Sequence, residues 1–208
     1  MIHHKHKCIF VHINKTAGTS VGDALGILQT HVTSKMVFSD DILKDDQNRW
    51  WQDWLKTKKQ NEFNWIPLNE VKNYWNEYYK FTVVRNPWDR IVSDISFCKK
   101  KNFVSEEHSV RDEVFGNLHS NEKWKQPCYD WIEYENKNPM DFVLRFENLQ
   151  NDFDQLCKNL GIQTKTLPHI NPSNHKHYTE YYDDETRQLV AKKYAKDIEY
   201  FGYEFGIE

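Results

Sequence analysis

The sequence predicts an α/β domain built as a three-layer sandwich around a central, mainly parallel sheet. Short β-branched and aromatic runs at 8–13, 80–85 and 142–146 alternate with longer segments whose apolar residues recur at helical spacing. Strands that alternate with helices in this way pair in parallel, and their helices cover both faces of the sheet. A chain of 208 residues suits one domain with one sizeable core, so residues 1–208 are read as a single unit.

The elements follow in order. A strand over 8–13 gives way to a loop over 14–18 and a helix over 19–29, where Val21, Ala24, Leu25 and Leu28 form one apolar face. A short strand is expected near 35–38. Residues 39–79 are polar and Trp-rich. Trp50, Trp51, Trp54 and Leu55 fit a helical stripe, residues 61–64 fit a break, and residues 68–79 fit a second helix. After the strand 80–85, Asn86 caps a helix over 87–99. Pro87 takes its first position, where a missing N–H costs nothing. Trp88, Ile91, Val92 and Ile95 face the core. Residues 100–125 carry few apolar positions and read as a surface excursion, and Trp131-Ile132 opens a short ordered piece. The strand 142–146 leads into a helix over 148–160, which Gly161 ends in a left-handed conformation. A loop rich in Pro, Asn, Ser and His spans 168–177. One last helix over 183–199 sets Leu189, Val190, Tyr194 and Ile198 on one side.

Composition excludes several classes of function. The net charge is −3 and the basic residues are dispersed, which argues against a nucleic-acid partner. No stretch approaches the ~20 apolar residues that span a bilayer. Cys8, Cys98, Cys128 and Cys157 form no CxxC pair, so zinc is not expected, and reduced thiols fit a cytoplasmic protein. His3, His4 and His6 read as a terminal tail and not as a metal site, and no signal peptide is expected. Asn14-Lys15-Thr16 is a glycosylation sequon inside the first loop, which argues against passage through a glycosylating compartment.

Two segments carry chemistry. Lys15-Thr16-Ala17-Gly18-Thr19-Ser20 follows the first strand directly. Such a loop offers backbone N–H groups, hydroxyls, one ammonium and the positive end of a helix to a single anion. It is not the nucleoside-triphosphate loop, which opens on Gly and places its Lys late. The second segment, Arg85 to Ser93, lies at the end of another strand. There Arg85, Arg90 and Ser93 can converge on a second anion, since Arg90 and Ser93 share a helix face.

At these residues the chain resembles the Golgi-type carbohydrate sulfotransferases (sulfotransferase family 2) and their soluble bacterial or viral relatives. His12 to Ser20 resembles that family's 5′-phosphosulfate loop, and Val84 to Ser93 its 3′-phosphate motif. Leu144 to Leu149, Leu167 to Ser173 and the closing stretch from Tyr181 to Tyr203 agree as well.

The resemblance implies a P-loop-like sulfotransferase fold and, as co-substrate, 3′-phosphoadenosine 5′-phosphosulfate. It also implies in-line transfer of the sulfuryl group to a hydroxyl, on a glycan or small glycoside, without a metal. Residues Lys15, Thr16, Ala17, Gly18, Thr19 and Ser20 would hold the 5′ end. Arg85 and Ser93 would hold the 3′-phosphate, with Ser173 and Lys176 near the nucleotide. Lys15 is the natural stabiliser of charge on the departing oxygen. The acceptor hydroxyl needs a general base, for which His31 is the first choice and His119 the second. His12 reads as a buttress of the loop, His169, His175 and His177 lie towards the adenine side, and Arg145 and Glu147 fit a structural ion pair. The family usually has Pro where this chain has Asn14, so a looser loop entry is expected. Two other readings stand beside this one. A nucleotide kinase of related fold would need the glycine-first loop, and a non-catalytic phosphoadenosine-nucleotide-binding protein would keep Arg85 and Ser93.

Overall fold

The computed structural model describes residues 2–27, 68–115, 126–168 and 175–207. The expected strand near 35–38 and the Trp50 stripe lie outside these residues. In chain order the elements are β1 (Ile2–His3), β2 (Cys8–Val11), α1 (Gly18–Leu25), α2 (Leu68–Tyr74), β3 (Tyr79–Val84), α3 (Pro87–Lys100), α4 (Val110–Phe115), α5 (Cys128–Ile132), β4 (Phe142–Arg145), α6 (Leu149–Asn159), α7 (Asp184–Lys193) and α8 (Ala195–Phe201). Short 3-10 turns precede α6 (Phe146–Asn148) and α7 (Tyr178–Tyr181).

The sheet runs β1-β2-β3-β4. β2, β3 and β4 are parallel, with Phe10 opposite Phe81 and Phe81 opposite Phe142. β1 is antiparallel to β2. The N-terminal stretch is therefore a short edge strand and not a free tail, with the His3 and His6 rings stacked 4.4 Å apart in its turn.

Strand alternation sorts the core into two faces. Cys8, Phe10, Phe81, Val83 and Leu144 pack against Val21 and Leu25 of α1 and Phe153 and Leu156 of α6. Ile9, Val11, Ile13 and Val84 face the other way, against Trp75, Trp131 and Phe201. This is the three-layer α/β sandwich expected from the sequence. A third cluster forms where Trp88, Ile91, Val92 and Ile95 of α3 meet Val110, Val190 and Tyr194, and Ile198 packs against both it and the second face.

Three expectations are corrected. Residues 100–125 are not all surface excursion, because α4 lies within them and Val110 is buried. Ser109 caps α4: its N–H and hydroxyl donate to Asp112 Oδ2, and the Asp112 N–H donates back to Ser109 Oγ. The last helix is two helices, broken at Tyr194. α7 begins on a capping box between Asp183 and Thr186, and α8 places the buried Asp197 where it accepts from the N–H groups of Cys128 and Tyr129 at the start of α5. Arg145 and Glu147 do not pair with each other. Arg145 donates to the Phe201 carbonyl, and Glu147 Oε1 accepts from the Asn86 N–H at 2.6 Å. Burial raises the pKa of the Glu147 carboxyl.

Candidate functional site

The site sits at the carboxyl ends of β2 and β3, where ligands of open parallel sheets bind. After β2 the chain turns sharply: Lys15 and Ala17 have φ of 62° and 61°. A left-handed conformation costs a non-glycine residue about 1–2 kcal/mol, so these two residues hold strain at the point where the loop meets α1. Ala17 occupies the N-cap position of α1 without a side-chain cap. The helix thus opens towards the loop with its backbone N–H groups and its positive dipole end.

Gly18 is required by contact and not by conformation. A Cβ at this position would stand 2.1 Å from His12 Cδ2. His12 is buried and stacks on Phe10, so it buttresses the loop as expected and cannot easily yield. Gly18→Ala should therefore cost about 1–3 kcal/mol through overpacking, read as a lowered Tm. An unchanged Tm would mean that the His12 ring swings away freely.

Thr16 is fully buried, and its hydroxyl donates to the Ile13 carbonyl at 3.0 Å. Its side chain braces the loop and is not turned to a ligand. Ser20 is buried in the first turn of α1.

The two motifs of the sequence meet physically. Arg85, at the end of β3, donates from Nη1 to the Lys15 carbonyl at 3.2 Å and from Nε to Asp89 at 2.7 Å. Its guanidinium lies 3.7 Å from the centre of the Phe146 ring. Asp89 is also 3.9 Å from His175 Nε2. Lys15 lies over Phe97, 4.1 Å from the ring centre. Burial lowers the Lys15 pKa to about 8, with Asp94 opposing and Arg85 reinforcing the shift.

Arg90 bonds to the protein itself, although it lines the same pocket as Lys15. It is buried: Nε donates to the Asn14 carbonyl at 3.1 Å, Nη2 to Asn14 Oδ1 at 2.6 Å, and Nη1 to the Gln126 carbonyl at 2.8 Å and to Cys128 Sγ at 3.5 Å. Asn14, the residue expected to loosen the loop entry, accepts twice from Arg90. Its amide oxygen gives Arg90 a second attachment that proline lacks. Ser93 is buried on α3, one turn beyond Arg90. His31, His119, His169 and Ser173 lie outside the described residues. Lys176 is exposed and paired with Glu180 at 3.4 Å. His177 is exposed, with Nδ1 2.6 Å from Thr179 Oγ1.

Sequence reasoning missed Asp89, Phe97 and Phe146. Asp89 had a legible signal, since it stands four residues after Arg85, though across a strand-to-helix junction and not within one helix. The aromatic contacts depend on elements brought together from distant parts of the chain.

All four cysteines are free thiols, and burial holds Cys8 and Cys128 up at about 12. Among the described residues no group of His, Cys, Asp or Glu is placed to hold a metal ion. No described helix is long and apolar enough to cross a membrane.

The chain belongs to the sulfotransferase family, whose model matches residues 1–204. An uncharacterized protein of Archaeoglobus fulgidus is 28% identical over 122 residues, covering 55% of this chain and 94% of that protein. The crystal structure of a sulfotransferase from Alicyclobacillus acidocaldarius matches 93% of this chain and 92% of its own, at 13% identity and a TM-score of 0.48.

Proposed function

We propose that the protein transfers the sulfuryl group of 3′-phosphoadenosine 5′-phosphosulfate to a hydroxyl acceptor, a carbohydrate hydroxyl being the class the family resemblance favours. The observation that carries this reading is the bond from Arg85 to the Lys15 carbonyl, which fixes two cationic positions on adjacent strand ends. A donor with a 5′-phosphosulfate and a separate 3′-phosphate needs two such positions, and a mononucleotide with one phosphate does not.

In this reading the loop 15–20 and the start of α1 bind the 5′ end, and Arg85 with Ser93 binds the 3′-phosphate. Arg85 is already oriented by Asp89 and Phe146, so little freedom is lost on binding. Arginine suits a phosphate dianion because its fork bonds in pairs. In-line transfer depends on positioning and electrostatics more than on covalent chemistry. Lys15 meets the charge that builds on the departing bridging oxygen.

The test is transfer of labelled sulfuryl from the donor to a panel of neutral and amino sugars, with ATP and Mg²⁺ run in parallel. Labelled sugar, without phosphoryl transfer from ATP, is the expected result. Phosphorylated product, or donor binding without transfer to any acceptor, would move the protein to the kinase or the binding-protein reading.

A further inference from the structure

A pocket opens beside Lys15, walled by Asn14 of the loop, Arg90 and Asp94 of α3, Glu113 of α4, and Lys193 and Tyr194 at the end of α7. The sequence gives no reason to place residues 108–115 next to the loop, but the structure brings them there. α4 packs on both α3 and α7 through the third apolar cluster. Arg111 ties it to Asp183 and Glu185 at 3.1 and 2.6 Å. Behind the pocket wall, His108 Nε2 lies 2.9 Å from Glu113 Oε2, and both side chains are at least nine-tenths buried.

We infer that Glu113 is the group that takes the acceptor's proton, with His108 as its positioning residue. The inference rests on the sulfuryl-transfer reading proposed above. The other groups of the pocket fit the role less well. Asp94 acts on Lys15 directly, favouring its protonated form. Burial drives the Tyr194 phenol far above neutrality, so it holds its proton. Lys193 is a cation. Glu113 lies on a different element from Asp94, shares the pocket with Lys15, and is held from behind by His108.

In the step itself, the acceptor oxygen bonds to sulfur while its proton passes to the Glu113 carboxylate. The bond from sulfur to the bridging oxygen breaks, and its electron pair leaves with the 5′-phosphate beside Lys15.

The experiment uses the full chain, with methyl glucoside at high concentration as acceptor probe and water as the competing acceptor. Release of adenosine 3′,5′-bisphosphate from the donor is followed, and stabilisation by added bisphosphate is measured separately. Glu113→Gln keeps the amide in reach of His108 and should fold. It is expected to lose on the order of 10²–10⁴-fold in kcat, with its bisphosphate-induced Tm shift intact. His108→Ala should lower kcat with little change in KM, and His108→Gln should restore most of it. A Glu113→Gln enzyme that turns over like wild type overturns the assignment. So does one that loses the bisphosphate shift, since Glu113 would then serve the donor site or the fold. A wild-type protein that is stabilised by the bisphosphate but discharges the donor to neither glucoside nor water fails at the proposed reaction, and the base assignment falls with it.

Discussion

Lys15→Ala is expected to lower the rate of sulfuryl transfer by about 10²–10³-fold, as removal of a group that meets developing oxyanion charge does elsewhere. The alanine variant should fold, because the Lys15 bond to Arg85 is made by its backbone carbonyl. The same lysine sets a pH dependence. Only the ammonium form stabilises the leaving oxygen, and burial brings its pKa down to about 8. Donor kcat/KM, which reports the free enzyme, should therefore fall as pH rises through about 8. Bound donor anions favour the ammonium, so the limb in kcat should lie at higher pH. Stability moves the opposite way. Between about 8 and the ordinary lysine range the unfolded chain holds the proton that the folded chain has released, so stability rises with pH across that window. A profile of donor kcat/KM flat to pH 10, or a Lys15→Ala enzyme within a few-fold of wild type, would remove Lys15 from the chemistry.

Arg90→Ala is expected to be the most destabilising single change at the site, by about 3–5 kcal/mol, because it strands buried partners. Asn14 would lose both of its contacts with Arg90, and the Gln126 carbonyl its donor. Asp197, fully buried, would lose a nearby cation that opposes the effect of burial on its carboxyl. For a chain of this size the loss corresponds to roughly 6–20 °C in Tm. Arg90→Lys should recover only part of it, since an ammonium cannot reproduce the fork that reaches both Asn14 oxygens. A Tm within 2 or 3 °C of wild type in Arg90→Ala, by thermal unfolding, would show that the loop is not anchored there.

Much of this architecture could be read from the chain. The strands β2, β3 and β4 stood out because each is a short β-branched and aromatic run that ends at a polar turn. α3 stood out because Asn86-Pro87 marks a helix start, and the Asn86 side chain does accept from the Trp88 N–H. Local signals of this kind survive folding because they describe the backbone's own needs. The role of Arg90 was misjudged because helical spacing gives a face and not a partner. It shares a face with Ser93, but its acceptors lie 76, 36 and 38 residues away. The same holds for Asn14, whose departure from the family's usual proline makes sense only once Arg90 is beside it. The break at Tyr194 had no glycine or proline to announce it. The helix α4 could have been found earlier: Ser109-x-x-Asp112 is a capping signature, and it marks a helix inside a stretch that otherwise reads as solvated.

The most direct test of the two-anion site is thermal unfolding with adenosine 3′,5′-bisphosphate, beside AMP and ATP with Mg²⁺. At about 100 times its dissociation constant a ligand adds roughly 2.7 kcal/mol, or about 5–11 °C for a chain of this size. The account predicts a shift of that order for the bisphosphate, little for AMP, and loss of the shift in Arg85→Ala. Equal or greater stabilisation by ATP with Mg²⁺, or a bisphosphate shift that survives Arg85→Ala, would contradict it.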